Sequence, residues 1–489
     1  MRTHTSLLAF LAVSALALSI CGQSQAITWR AANTSATAQD LLQTATWSGG
    51  VPTSAQGAYF GGAQASTYTL SGNMSIGCWQ GFDGGATTFD LGTGKTLSVV
   101  SAGDLGSGLG ITDYGTPYVA TVTVKSGTMI FTGADTVQIG YNAGPRVVGS
   151  RQHDFIVDGG TVNINGTWNG TGNSSSGALV VDQSGLVWVK AGSTMNVAST
   201  SRIRLGIGNI AVPYEGTLQI DGVLNCAGKL TIGEYRPGGT LRIGGTVNLT
   251  GTSTPQIGGG SQGNGWEPGS KILLAGGSIV ATTHQSLYGN ASSFSGAASP
   301  GLLMGTGVID NLDVSLTVSG AAGTYKLAPG DASTTGTIEI KNGNFNENNG
   351  QIVSLKIGPT SADKLLLSTA GKIATIYNGI NFSALGDLST AAGNFDLVVA
   401  PTVRYGSTST SLVIGSEVPT VTGDNLVAML NGLGYTRVTG TAPGAGQFRY
   451  YVADAGNGME SVRVQFSPEP MTLSLLAIGG LAMLRRRAC

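Results

Sequence analysis

The chain is short of charge, histidine and cysteine, and each shortage closes off a class of function. Only 10% of its 489 residues are charged, and the formal net charge is −1. A nucleic acid, or any partner captured by electrostatics, needs a dense face of one sign that this composition does not supply. Of three histidines, only His153 and His284 lie outside the first 26 residues. They sit in different repeats, whereas a zinc site needs several ligands at short spacing, so no metal and no cofactor are expected. Of four cysteines, Cys21 and Cys489 lie in the terminal segments. Cys78 and Cys226 remain, far apart, and they read as small buried apolar residues rather than a disulfide framework. Between about residues 65 and 415 there is also no long apolar run with a 3.6-residue period, which argues against a helical body.

What the chain has in abundance is glycine. There are 78, roughly twice the usual share. Between the glycines lie short alternating runs: Thr121-Val122-Thr123-Val124, Thr161-Val162-Asn163-Ile164 and Thr217-Leu218-Gln219-Ile220. Apolar and polar residues alternate there with the period of a half-buried strand. Phe155-Ile156-Val157 is a continuous apolar run, as a strand buried on both faces would be. Gly127, Gly160, Gly185, Gly216 and Gly239 each open such a strand, at intervals of 23 to 33 residues. One unit of this kind cannot cover its own apolar face, so the units must stack. The expected fold is all-β, a right-handed parallel β-helix or solenoid over residues 27–417. Stacked antiparallel hairpins or a β-sandwich are the alternative. From Val418 the texture changes. Asp424 to Gly434 reads as a helix with Asp424 as N-cap, with Leu426, Met429, Leu430 and Leu433 on one face and Gly434 as the stop. Phe448–Val452 and Ser461–Phe466 read as two strands, so 418–466 is expected to cap the solenoid's open end.

The two ends read as addresses. Arg2 precedes an apolar run from Leu7 to Ile20, and Ser24-Gln25-Ala26 offers small residues at the positions a signal peptidase reads. Residues 1–26 are therefore expected to be a signal peptide cut after Ala26. Cys21 leaves lipoprotein processing as an alternative, against which stands the bulky Ile20 just before it. At the other end, residues 467–489 hold Pro468-Glu469-Pro470, an apolar run from Met471 to Leu484, and Arg485-Arg486-Arg487. As a helix the run would span about 21 Å, short of a hydrocarbon core of roughly 30 Å unless arginines snorkel and the bilayer thins. The arginines predict a cytoplasmic C-terminus.

This order of parts resembles the bacterial PEP-CTERM sorting signal, a family also labelled the ice-binding protein C-terminal motif. The resemblance covers the tail alone. It implies that Pro468, Glu469 and Pro470 are recognised by a membrane-embedded exosortase. It implies that Met471–Leu484 is a transmembrane helix holding the precursor in the inner membrane, with Arg485, Arg486 and Arg487 as stop-transfer anchor. The mature protein would then reach the cell surface or the extracellular medium. A plain, uncut membrane anchor is the alternative. Trp47-Ser48-Gly49-Gly50-Val51-Pro52 with Ala58-Tyr59-Phe60, and Ala328-Pro329-Gly330-Asp331 leading into Gly336-Thr337-Ile338-Glu339-Ile340, resemble autotransporter-like passenger repeats.

Little in the body points to catalysis. Gly259-Gly260-Ser261-Gln262-Gly263 matches a nucleophile-elbow formula but lacks the strand-to-helix setting. Gly94-Lys95-Thr96 has a phosphate-loop ending, but Phe89 stands where the first glycine belongs. Both read as turns. Asp154, Asp158 and Asp182, with Arg151 and His153, form the densest polar group and the foothold for a β-helical polysaccharide lyase or hydrolase. Asp158 and Asp182 stand before glycine turns and read as turn caps. Trp79, Trp168, Trp188, Trp266 and Tyr214 are candidates for sugar stacking, though scattered. An ice-binding face needs a flat Thr-x-Thr ladder. Thr67-Tyr68-Thr69 and Thr121-Val122-Thr123 fit, but the repeats between 155 and 250 do not continue it. The expectation is a non-enzymatic surface or matrix protein, structural or adhesive and associated with exopolysaccharide. A lyase or hydrolase, and a glycan- or ice-binding module, stand as alternatives.

Overall fold

Strands of four or five residues between glycine corners can satisfy their backbone only by pairing with the coil before and the coil after. The computed structural model has that arrangement throughout. It describes residues 28–29, 38–60, 65–80, 85–100, 110–111, 120–133, 137–139, 153–167, 178–181, 185–206, 216–233, 239–252, 257–258, 269–288, 301–316, 325–347, 351–406 and 408–467. The chain is nearly all β and winds as a parallel β-solenoid. Parallel registers between successive coils exclude the sandwich and hairpin-stack alternative. The signal-peptide site Ala26, the sorting residues Pro468, Glu469 and Pro470, and Arg485, Arg486 and Arg487 lie outside the described residues. So does the expected transmembrane segment. Among the described residues no helix is long and apolar enough to cross a membrane.

Each coil passes through three strand positions. The first holds Ala120–Ser126, His153–Val157, Gly185–Val189, Thr217–Ile220 and Thr240–Ile243, each paired with the next. The second holds Thr128–Thr132, Thr161–Ile164, Thr194–Val197, Val223–Cys226 and Thr246–Leu249. The third is a six-stranded sheet that includes Ala178–Val181, Arg202–Leu205 and Lys229–Ile232. Two long strands, Lys271–Tyr288 and Gly301–Ser315, bend through the corners and pair along most of their length.

Inward-facing residues stack in columns, so the core is a continuous apolar rod. Val122, Phe155, Val187, Leu218, Leu241, Ile272 and Leu303 follow one another in register, all with no exposed surface. Met129, Val162, Met195, Leu224, Val247, Ile279 and Ile309 form the matching column of the second position. Within Phe155-Ile156-Val157 only the outer two point inward. Ile156 faces out and is half-buried, so this strand is not buried on both faces as expected.

The glycines that open the second-position strands have a steric reason. A Cβ on Gly222, Gly245, Gly277 or Gly307 would strike a backbone carbonyl oxygen of the preceding coil. These glycines are needed for close approach of one coil to the next, not for a special φ.

The ends of the described body are closed in different ways. Near the start, Trp47 is buried and donates its indole N–H to the Leu41 carbonyl at 2.8 Å. It packs edge-on against Phe60 at 5.6 Å, and Phe60 packs on Tyr68 and Phe89. At the far end, Met459–Phe466 pairs antiparallel with Gly393–Ala400, and Gln447–Gly456 pairs antiparallel with Met459–Phe466. Asn425 covers the edge of Ile380–Ala384: its Oδ1 accepts the Phe382 N–H at 2.6 Å and its Nδ2 donates to the Phe382 carbonyl at 3.0 Å. These contacts occupy backbone groups that a parallel neighbour would otherwise take. The helix here spans only Leu426–Gly432, shorter than the sequence suggests. Asn425, not Asp424, is at its N-cap position. Leu426 and Leu430 are buried, but Leu433 is 50% exposed and lies off the packed face. Gly434, at φ +91°, does end it.

Candidate functional site

On the outside of the second strand position, polar residues line up in two columns. Thr96, Thr128, Thr161 and Thr194 are in register, followed by Val223, Thr246 and Ser278. Two residues along, Asn163, Asn196, Asn225 and Asn248 stack coil on coil. Their amides form a chain: Asn196 Nδ2 donates to Asn163 Oδ1 at 2.7 Å, Asn225 to Asn196 at 2.8 Å, and Asn248 to Asn225 at 2.9 Å. Asn196 and Asn225 each give one bond and take one, and the polarised chain is stronger than isolated pairs. The Thr-x-Thr ladder lapses between 155 and 250 as expected, its rungs continuing as Ile156, Trp188 and Gln219, and the Thr and Asn columns are a separate feature of the second position. The threonines at 67, 88 and 123 belong to a different side, stacked in the first position.

The corner between the first and second positions gathers the charges. Lys190 Nζ lies 2.8 Å from Asp158 Oδ2 and 4.9 Å from the centre of the Trp188 ring. The Trp188 indole N–H donates to Asp221 Oδ2 at 2.7 Å, and Gln219 Nε2 donates to the same oxygen at 2.6 Å. Arg242 Nη1 reaches Asp221 Oδ1 at 3.0 Å. Asp221 thus joins side chains from three successive coils. Burial pushes its carboxyl up, but these donors and the Arg242 charge outweigh that and hold it below the usual carboxylate range.

Two members of the acidic group suspected of catalysis are described, and they stand apart. Asp154 lies on a first-position strand and Asp158 in the turn that follows, separated by about 13 Å of extended chain. Asp158 is engaged by Lys190. Asp182 and Arg151 lie outside the described residues, as do Trp168, Trp266, Tyr214 and Gly259–Gly263. His153 and Trp79 are on strands whose side chains are not described. Lys95 sits in a turn closed by its own N–H to the Gly92 carbonyl at 3.1 Å. Among the described residues no three His, Cys, Asp or Glu side chains are gathered as a metal site. Cys226 is buried with its Sγ donating to the Gly228 carbonyl at 3.4 Å, and burial pushes the thiol up to about 12.

The C-terminal coils hold a concave feature that pattern reading missed. A groove of about 620 Å³ runs along the third strand position and includes Ser286, Asp313, Asn344, Asn346, Thr375 and Arg404. Register places Asn346, Thr375 and Arg404 on successive rungs, so it crosses several coils. At one end His284 Nε2 stands 3.3 Å from Asp313 Oδ2. Asp313 Oδ1 accepts the Asn344 backbone N–H at 2.7 Å and its Nδ2 at 3.1 Å. At the other end Arg404 is exposed. No local signal marks these residues, because they are 27 to 31 positions apart and meet only through coil stacking.

In the same coils two acids are buried, Glu347 next to the groove's Asn346 and Asp363 at a different corner. Glu347 has no exposed surface, and its Oε2 accepts the N–H groups of Tyr377 at 2.9 Å and Asn378 at 3.3 Å. Burial pushes this carboxyl up to about 8, the hydrogen bonds opposing only in part. Asp363, also fully buried, accepts from Lys356 Nζ at 2.6 Å and from the backbone N–H groups of Lys356 and Gly336 at 2.8 Å. Here too burial outweighs the Lys356 partner and holds the carboxyl above its usual range.

These features define the class of the molecule, a β-solenoid with polar outer ladders and a groove across its C-terminal coils. No family model, curated protein or solved structure matches the chain.

Proposed function

We propose that the chain is an exported structural or adhesive protein of a bacterial cell surface or extracellular matrix. Signal peptidase cuts after Ala26, and an exosortase acts at Pro468-Glu469-Pro470 while Arg485–Arg487 hold the precursor in the inner membrane. The mature solenoid carries no catalytic centre and associates with exopolysaccharide. A β-solenoid suits a structural, adhesive or polysaccharide-acting extracellular protein. The observation that carries the reading is the pair of Thr and Asn columns, a long neutral face of hydroxyls and amides. Such a face can exchange water for polymer hydroxyls without the cost of stripping charges. Mass spectrometry of the protein from cells and medium tests it. Chains beginning at Ile27 and ending near Ser467 in the surface or medium fraction are expected. Recovery from cytosol with both ends intact overturns it.

The same columns favour a second reading, a glycan- or ice-binding module. Asn196 and Asn225 changed together to Lys would then abolish polymer or ice adsorption. Unchanged adsorption would remove that reading.

A further inference from the structure

The groove offers ligands side chains only, because its strands are already paired through Ser315, Asn346, Thr375 and Arg404. Whatever binds must be read by hydroxyl and amide groups that repeat at the rung interval, about 4.8 Å. An extended peptide advances about 3.3 Å per residue with side chains alternating in direction, so it falls out of step with the rungs. A glycan advances one ring at a time on the rung scale and presents several hydroxyls per ring. Ile373 is one of the groove's apolar lining residues, against which the C–H face of a ring packs.

Charge selects among glycans. Asp313 is engaged at both oxygens, by Asn344 and by His284. Arg404 lines the far end, exposed and with no carboxylate partner among the described residues. A guanidinium is a planar fork that matches a carboxylate at two points. One cation is too little for a polyphosphate backbone, which needs many.

We propose that this groove binds a segment of a carboxylated glycan, with ring hydroxyls on Asn346 and Thr375 and a uronate carboxylate on Arg404. The inference rests on the exopolysaccharide reading above and gives that polymer a chemical class.

The test is calorimetric titration of the purified full-length chain with oligogalacturonate and, separately, with its neutral methyl ester. The acid is expected to bind, and the ester to bind at least tenfold more weakly. Arg404→Gln should bring the acid down to the level of the ester, with the melting temperature unchanged. Thr375→Val should weaken both ligands by a similar factor. No binding of the acid, equal binding of acid and ester, or an undiminished Arg404→Gln protein each overturns the proposal. Processing of the chain ends is read separately by mass spectrometry. A failed titration with correctly cut ends therefore sinks the groove and spares the export reading, and binding by an uncut chain does the reverse.

Discussion

The coils from Thr161 to Leu249 and those from Tyr325 to Tyr405 share the same parallel rungs but differ in how deeply the acids that tie one coil to the next are buried. In the first region a neutral amide ladder ties the coils, beside the Arg242–Asp221 ion pair at one corner. Amides stack on amides along Asn163, Asn196, Asn225 and Asn248, and glycine corners let backbones approach closely. Among the described residues no acid is fully buried there. In the second region, carboxylates reach across. Glu347 holds the backbone of Tyr377 and Asn378, and Asp363 holds Gly336 and Lys356. The stacked amides spread cohesion along the ladder and do not titrate. A few buried acids concentrate it and make it titratable. The difference is what a solenoid gains or loses when a corner leaves backbone N–H groups for a side chain to fill.

The contrast can be broken most sharply at Asp363. Asp363→Ala strands the Lys356 ammonium and two backbone N–H groups, and should cost about 4 kcal/mol in denaturant unfolding. A loss under about 1 kcal/mol would mean that the buried pair is not a tie at all. Next is Gly245→Ala, whose new Cβ meets the backbone oxygens of Gly222 and Asp221. Neither can step aside, so a loss of about 3 kcal/mol is expected, read as a lowered melting temperature.

Glu347 sharpens the comparison through pH. Its folded carboxyl titrates at about 8, against 4.5 for an unburied glutamic acid. Its folded value is the raised one, so the folded chain keeps a proton that the unfolded chain has given up. Stability from this group is complete below the unfolded value and drains away as pH rises through the folded one. A progressive fall in stability between those limits is expected, and Glu347→Gln should flatten it. A slope surviving in Glu347→Gln would place its origin elsewhere. The smallest effect is in the first region. Asn225→Ala removes two amide bonds from a half-exposed ladder and should cost about 1 kcal/mol, with no pH dependence.

Much of the fold was legible. Alternation in Thr161–Ile164 and Thr217–Ile220 gave the strands and their inward residues, and the recurring glycine gave the corners. Phe448–Val452 and Ser461–Phe466 gave the closing hairpin. The helix at Leu426–Gly432 was read too long because Asp424 resembles an N-cap. In the fold Asp424 accepts a hydrogen bond from Tyr405 and from the Leu426 N–H, and Asn425 takes the cap position to cover a strand edge. Asp154 and Asp158, two members of the suspected acidic group, stand at opposite ends of one strand, and Asp158 is engaged by Lys190. The groove was invisible because Ser286, Asp313, Asn346, Thr375 and Arg404 come together only across coils.

The linear chain fixed by itself the things that depend on neighbours two or three positions away. These are which residues face inward, where the corners fall, how little charge the surface carries, and which terminal segments look like addresses. Tertiary structure alone decided which outward residues share a column. The stacked asparagines are 33, 29 and 23 residues apart, in that order. Corners of unequal length absorb those differences, and only the register of one whole coil on the next turns such spacings into a straight ladder or a groove.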